Sequence, residues 1–315
     1  MFIGKTVQNC LDFYCEEYVE DQGLTATDNV FYNSLPLYDF FKDKGIQSVN
    51  ELEIMGYKKW RRRTFKNKRG RDISNNTLGR ELTLLRSCLN VAVEYGLVRT
   101  AQEKNHIKKL VIKIPKQKTR GAEYIPTIEE AEDIIKALPE HLSKLAFAAH
   151  RLGWRKTELC NLTFSMINFD EKIMILPKRL NKNKENRITP LYQEVERFMI
   201  QQRDDARVVF GRDNVNDVFV FRNKDGKSPI VPKNVKYHWD KVLVSLRLTE
   251  DSKPKYVFHD LRKASIKYLR MRLGFDREMI RIMYTGHKCK KIFDEIYDCV
   301  TSEDHQHWIK QALSA

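Results

Sequence analysis

Between Lys108 and Pro126 the chain reads KKLVIKIPKQKTRGAEYIP, a basic stretch broken by Pro115, Gly121 and Pro126. A helix cannot run through these breaks, so the stretch reads as a linker. Apolar residues recur at helical spacing on both sides of it, and each side must bury that surface on its own. The expectation is a domain over 1–107, a linker over 108–126 and a second domain over 127–315. With 315 residues there is material for two cores.

The first part reads as helical. Val7, Leu11, Tyr14 and Tyr18 share one face, then Phe31, Leu35, Leu37, Tyr38 and Phe41, with Gly23 and Gly45 as breaks. Residues 57–71, YKKWRRRTFKNKRGR, hold nine Lys/Arg and no acid, with Trp60 and Phe65 interleaved. Ser74 or Asn75 then caps a strong helix whose stripe is Leu78, Leu82, Leu85, Leu89 and Ala92, and Arg80 and Arg86 lie off that stripe. In the second part, Thr127 with Glu129-Glu130 opens a helix as a capping box, and another helix runs from His141 to His150. Lys172–Leu176 and Arg187–Leu191 flank the polar segment LNKNKEN and read as a β-hairpin. A helix, a short apolar strand at Val218–Phe221, a turn at Gly226 and a helix near Asn234–Leu246 follow. The fold class expected is mainly α with a small antiparallel β-sheet.

Net charge is +15, which points to a polyanionic partner, nucleic acid before an acidic membrane surface. No apolar run reaches transmembrane length, and the amino terminus has early charges and no small-residue cleavage site. The six cysteines, Cys10, Cys15, Cys88, Cys160, Cys289 and Cys299, show neither Cys-x-x-Cys pairing nor zinc spacing with histidine. Reduced thiols in a cytoplasmic protein are expected.

The chemistry gathers in a scattered set. Arg155 stands in RLGWRKTEL, a basic turn follows in PKRLNKNKENRITPL, His259 and Arg262 share one helix face in YVFHDLRKASIKYL, His287 follows Gly286 in MYTGHKC, and Tyr297 stands in IFDEIYD. Arg151 competes with Arg155, but a surface arginine is the simpler reading of it. Glu158, one turn after Arg155, is placed to hold the scaffold or orient an arginine, and Asp260 is placed to cap the helix of Arg262. His150 matches no motif and reads as structural. Guanidinium groups stay protonated and offer paired donors to two non-bridging phosphate oxygens. Preorganised cations of this kind are the main device for stabilising a phosphate under attack. A tyrosine hydroxyl can attack it and form a covalent phosphotyrosine, though its reference pKa of about 10 means it needs help losing the proton. Histidine suits that task, and a lysine can protonate a leaving oxygen.

The ordered set Arg-x-x-Glu-Leu, His-x-x-Arg, Gly-His and a following Tyr resembles the tyrosine recombinase (phage integrase) family, and the resemblance covers nearly the whole chain. It implies a helical core-binding domain ahead of a mixed α/β catalytic domain, clamped around double-stranded DNA. It implies catalytic roles for Arg155, His259, Arg262, His287 and Tyr297. The family's catalytic lysine lies in a hairpin turn a few residues before an Arg-x-(Val)-Pro-Leu segment, matched here by Arg187-Ile188-Thr189-Pro190-Leu191. Lys182 fits that interval best and Lys184 is the alternative. The chain departs from the pattern at three points. Thr100-Ala101 stands where Asn-Pro is usual, Trp154 where Leu is common, and Tyr297 is ten residues past His287, one more than usual. The amphipathic tail Ser302–Leu313 packs either on its own domain or, as the resemblance implies, on a neighbouring protomer of a tetramer. The expected activity is site-specific recombination through a 3′-phosphotyrosyl intermediate and a Holliday junction, with neither ATP nor metal, since no Walker loop or metal-spaced carboxylate cluster is present. A type IB topoisomerase, a telomere resolvase and a non-catalytic DNA-binding protein are the alternatives.

Overall fold

The structure, a computed structural model, describes residues 6–24, 27–65, 72–116 and 121–288. The chain divides into two compact units, Met1–Thr119 and Arg120–Ala315. Tyr297 and the tail Ser302–Leu313 lie outside the described residues, as do Cys289 and Cys299.

The first unit is helical. Helix α1 (Val7–Asp12) opens on a Thr6–Asn9 capping box and continues through a π-helical turn, Phe13–Tyr18, into α2 (Val19–Asp21). Then come α3 (Thr27–Phe41), α4 (Glu51–Thr64), α5 (Asn75–Glu94) and α6 (Ala101–Lys109). Ser74 caps α5, its hydroxyl accepting from the Thr77 N–H at 3.1 Å. The expected stripe of α5 is buried throughout, with Leu82, Leu85 and Ala92 fully enclosed beside Val7, Leu11, Leu37, Phe41 and Tyr57. Helix α6 is an addition: Thr100 accepts from the Glu103 N–H at 3.2 Å, so the departure at Thr100-Ala101 starts a helix in its own right.

The basic stretch after Tyr57 does not present all its cations to solvent. Its first half is the last two turns of α4, and Trp60 and Phe65 pack at the edge of the core. Arg61 turns inward, donating to the buried Glu81 from Nη2 at 2.8 Å and stacking on Phe65 at 4.5 Å, while Tyr57 donates to the same carboxylate at 2.6 Å. Lys59, Arg62 and Arg63 remain exposed. Arg86 donates to the Ile112 carbonyl.

The second unit starts with α7 (Ile128–Ala137), α8 (Glu140–Leu152) and α9 (Lys156–Cys160). Thr127 and Glu130 form the expected capping box, with bonds of 3.1 and 2.8 Å. A three-stranded antiparallel sheet follows, β1 (Ile167–Asn168), β2 (Ile173–Leu176) and β3 (Arg187–Pro190), in sequence order. The hairpin pairs Leu176 with Arg187 and Ile175 with Ile188. Next are α10 (Gln193–Phe210), α11 (Val235–Ser245), the short pair β4 (Thr249–Glu250) and β5 (Lys253–Pro254), α12 (Asp260–Met271) and α13 (Arg277–Met279). A π-helical turn, Ile280–Thr285, extends α13. Helices α7, α8 and α12 pack on one another around Leu145, Leu152, Leu261 and Leu269.

Two expectations are corrected. Val218–Phe221 is no strand: Val218, Val220 and Phe221 are buried, but the chain bends on both sides of Phe219, which makes one isolated bridge to Thr163, and the partner segment turns at once into a 3-10 turn, Phe164–Met166. Arg151 is not a surface residue: Glu194 and Glu132 bind it at 3.0 and 3.2 Å, and Tyr268 stacks on it at 4.0 Å. Among the described residues no helix is long and apolar enough to cross a membrane.

His150 has the structural role expected of it. It is fully buried, with Nδ1 accepting from Arg151 at 2.5 Å, and burial followed by the Arg151 charge pushes its pKa down to about 3. A folded value below the unfolded one, about 6.5, means that the unfolded chain binds the extra proton. Stability is therefore full above that value and is lost as pH falls towards 3. Thermal and urea unfolding of His150→Gln between pH 6 and pH 4 should show a shallower loss than the unsubstituted protein, by about 1.4 kcal/mol per pH unit, one proton's worth. Equal slopes would mean that the ring is not held uncharged.

Candidate active site

Helix α8 ends at Gly153, whose φ of +64° sends the chain sharply back. An added Cβ there would lie 3.0 Å from Ser265 Oγ and 3.2 Å from Thr285 Cγ2, so the turn needs glycine for both conformation and space. Trp154 then enters the core and Arg155 becomes the N-cap of α9. Glu158, three residues on, accepts from the Arg155 N–H at 2.9 Å and from Arg155 Nη1 at 2.6 Å. The same carboxylate receives Arg187 Nη2 at 2.8 Å from the start of β3. Arg187 stacks on Trp154 at 4.7 Å, and Trp154 Nε1 donates to Thr189 at 3.1 Å. Strand β3 thus inverts the usual pattern, with Arg187 and Thr189 inside and Ile188 outside.

His259 is the N-cap of α12 and Arg262 lies in its first turn. Asp260 is the first helical residue and not the cap, and its carboxylate accepts from the Val257 N–H at 2.8 Å. Arg262 is buried, with Nη1 donating to the Gly153 carbonyl and Nη2 to the Thr285 carbonyl. The π-helical turn ends at Gly286, φ +62°, where a Cβ would meet Arg187 Nη1 at 2.7 Å. His287 follows, with Nε2 3.4 Å from Arg262 Nη2.

Three guanidinium groups, Arg155, Arg187 and Arg262, thus surround one carboxylate, and positive charge remains in excess. Burial opposes the charged form of Glu158, but Arg187, Arg155 and Arg262 win and hold its carboxyl below the usual range. Burial, then the charges of Arg262 and Arg155, push His287 down to about 3. His259 is lowered to about 4 by burial and then by the Arg262, Arg155 and Lys263 charges, although the residue as a whole is exposed. Burial and the arginine charges therefore hold both imidazoles neutral in the empty site, and a proton on either ring is costly until an anion offsets those charges. The surplus positive charge is what an anionic group entering beside them would meet.

Of the residues singled out in the sequence, Arg155, His259, Arg262 and His287 come together here. Lys182 is exposed in the connection Pro177–Asn186 between β2 and β3. Its neighbour Asn183 donates to the Gly286 carbonyl at 2.6 Å, which holds that connection against the site, and Glu185 meets Lys288 at 2.6 Å. Lys184 is also exposed, with φ +55°. Two residues were given no site role in the sequence reading: Arg187, placed in the hairpin and in the segment that follows the lysine turn, and Thr285. The available signal for Arg187 was an arginine and a threonine on the core side of a strand whose isoleucine faces out. Among the described residues no cluster of three or more His, Cys, Asp or Glu is placed to hold a metal.

Arg187→Gln removes the main partner of a buried carboxylate. The loss should be about 3 kcal/mol or more in urea unfolding of the second unit. Adding Glu158→Gln removes the unmatched charge, and the double variant should recover a large part of that loss. A double variant as unstable as the sum of the two singles would show that the two side chains do not interact.

Residues 125–303 match the model of the phage integrase family. A search of curated proteins gives no significant match. Among solved structures, the Tn1549 transposon integrase in complex with circular intermediate DNA is similar at 15% identity and a TM-score of 0.63, over 97% of this chain and 99% of that one. A lambda integrase dimer bound to a COC′ core site is similar at 16% identity and a TM-score of 0.67, over 93% and 77%. A lambda integrase tetramer bound to a Holliday junction gives 16% and 0.67, over 93% and 81%. At these identities the likeness is one of fold, and it carries the mainly helical architecture with its small antiparallel sheets across most of the chain. The family match covers more than half of the sequence, and the chain belongs to the phage integrase family of tyrosine recombinases, enzymes that break and rejoin DNA.

Proposed function

We propose that Tyr297 is the nucleophile of a site-specific recombination reaction on double-stranded DNA. Its hydroxyl oxygen attacks the scissile phosphorus, the bond to the 5′ oxygen breaks, and a 3′-phosphotyrosyl link and a free 5′-hydroxyl result. Arg155 and Arg262 hold the non-bridging oxygens. His259 accepts the tyrosine proton, His287 faces the phosphate, and Lys182 protonates the leaving oxygen. A 5′-hydroxyl from a second duplex then displaces the tyrosine, and the exchange passes through a Holliday junction. The phosphodiester energy stays in the covalent link, so this route calls for neither ATP nor metal.

The observation that carries the reading is the grouping of Arg155, His259, Arg262 and His287 around an excess of positive charge, in a chain of the family that makes such breaks. The lambda integrase and Tn1549 integrase structures, solved on DNA, support the same partner for this chain. The first unit serves as the core-binding domain, with 108–126 as the connection between the two domains. Lys59, Arg62 and Arg63 are its phosphate contacts on α4. The tail Ser302–Leu313 docks on a neighbouring protomer in a tetramer, an assembly that lambda integrase forms on a Holliday junction. The reaction belongs in the cytoplasm, with the DNA of a bacterial, archaeal or virus-infected cell.

A suicide substrate carrying the attachment site tests the nucleophile. Tyr297→Phe should bind DNA within about twofold of the unsubstituted protein and give no covalent complex on a denaturing gel. Undiminished trapping would remove Tyr297 from the mechanism. Lys182→Ala should slow cleavage by about 100-fold or more, the scale of one general acid. A 5′-thio leaving group needs no proton and should bring the rate back. Failure of that rescue would pass the role to Lys184.

A further inference from the structure

Thr285 lies between the phosphate-facing side chains and the turn that carries them. It is fully buried, and the room beside its methyl is closed by Gly153, whose added Cβ would stand 3.2 Å from Thr285 Cγ2. The side chain is therefore held with its hydroxyl towards His287. Oγ1 is 2.7 Å from His287 Nδ1 and 3.1 and 3.3 Å from the carbonyl oxygens of Arg281 and Ile280. The other ring nitrogen, Nε2, faces Arg262 Nη2 at 3.4 Å.

The direction of every bond in this series follows from its two ends. A guanidinium only donates and a carbonyl only accepts. Nε2 must then offer its lone pair to Arg262. In a neutral imidazole the proton is left on Nδ1, which donates to Thr285 Oγ1. The threonine hydrogen is free to go to the Arg281 or Ile280 carbonyl. Putting the ring proton on Nε2 would set it against the Arg262 N–H, donor against donor. The backbone of His287 is held as well, its N–H donating to the Arg281 carbonyl at 2.9 Å while Arg281 Nη1 donates to the His287 carbonyl at 2.5 Å.

We infer that Thr285 is a positioning residue that fixes His287 as its Nδ1–H tautomer, so that Nε2 meets the phosphate site as a proton acceptor. The inference rests on the proposed reading of Arg262 and His287 as phosphate-facing groups. It changes the order of events at that histidine. His287 donates to a phosphate oxygen only after taking up one proton at Nε2 from solvent as DNA binds, when the phosphate charge offsets that of Arg262. No covalent bond other than N–H is made in this step.

The full chain labelled with ¹⁵N-histidine and studied without DNA gives the test. His287, assigned by the signals lost in His287→Gln, should show a protonated Nδ1 and a bare Nε2. Thr285→Ser should keep that pattern. Thr285→Val, equal in shape but without the hydroxyl, should shift the tautomer ratio towards Nε2–H by about tenfold, the scale of one neutral hydrogen bond. A protonated Nε2 in the unsubstituted protein would overturn the inference, and so would an unchanged ratio in Thr285→Val. With DNA, proton uptake read from the buffer dependence of the binding enthalpy should be smaller for Thr285→Val than for the unsubstituted protein and restored in Thr285→Ser; equal uptake would overturn the proposed order of events. The tautomer is measured without DNA, so a failure of covalent trapping would count against the catalytic reading alone.

Discussion

The second unit is organised around the buried carboxylate of Glu158. A carboxylate enclosed as fully as that of Glu158 is costly unless it is matched. Here it is matched from two directions, by Arg155 at a helix start and by Arg187 at a strand start. Those two elements are far apart in sequence, and the shared acid fixes the distance between them. Trp154 and Thr189 strengthen the same joint through stacking and a hydrogen bond. A rigid cation is worth more to a developing phosphate charge than a mobile one, because nothing has to reorganise when the charge appears.

The motif residues were legible because their chemistry is distinctive and their order informative. The arginine of Arg-x-x-Glu-Leu, the pair in His-x-x-Arg and the histidine after Gly286 are residue types with few chemical substitutes, and the fold brings the four side chains together. Helices α5, α7 and α8 were legible through their apolar period, and the capping box at Thr127 through its spacing; on α3, Phe31 and Leu35, read with the apolar face, are exposed, and α4 and α6 were not read as helices. Arg187 and Thr285 were hidden for a different reason. Each acts through groups distant in sequence: Arg187 reaches Glu158 across 29 positions, and the Thr285 carbonyl receives Arg262 across 23. The one local mark of Arg187 is its place beside Thr189 on the core side of a strand whose isoleucine faces out, and it does not say which distant group is the partner. Arg61 shows the converse, a residue whose local context suggested solvent and whose buried acid on α5 draws it inward.

The capped start at Thr100 and the single bridge at Phe219 show where sequence period and actual structure part. Short segments have too few residues for a period to declare itself, and tertiary neighbours decide them. A Thr followed by Glu at the third position was a sufficient local sign for α6, because the cap is made within four residues. The bridge at Phe219 had no such sign, because what limits it is the turn on the opposing segment.

Arg262 is gripped mostly by main chain, through the carbonyls of Gly153 and Thr285. Such a grip is indifferent to which side chains surround it and sensitive to the path of the two loops that supply the oxygens. The positions least forgiving of exchange should therefore be the glycines that steer those loops, residues with no side chain to offer the chemistry. A map of tolerated substitutions over this unit would show its sharpest minima at Gly153 and Gly286, offset from the guanidinium they hold in place.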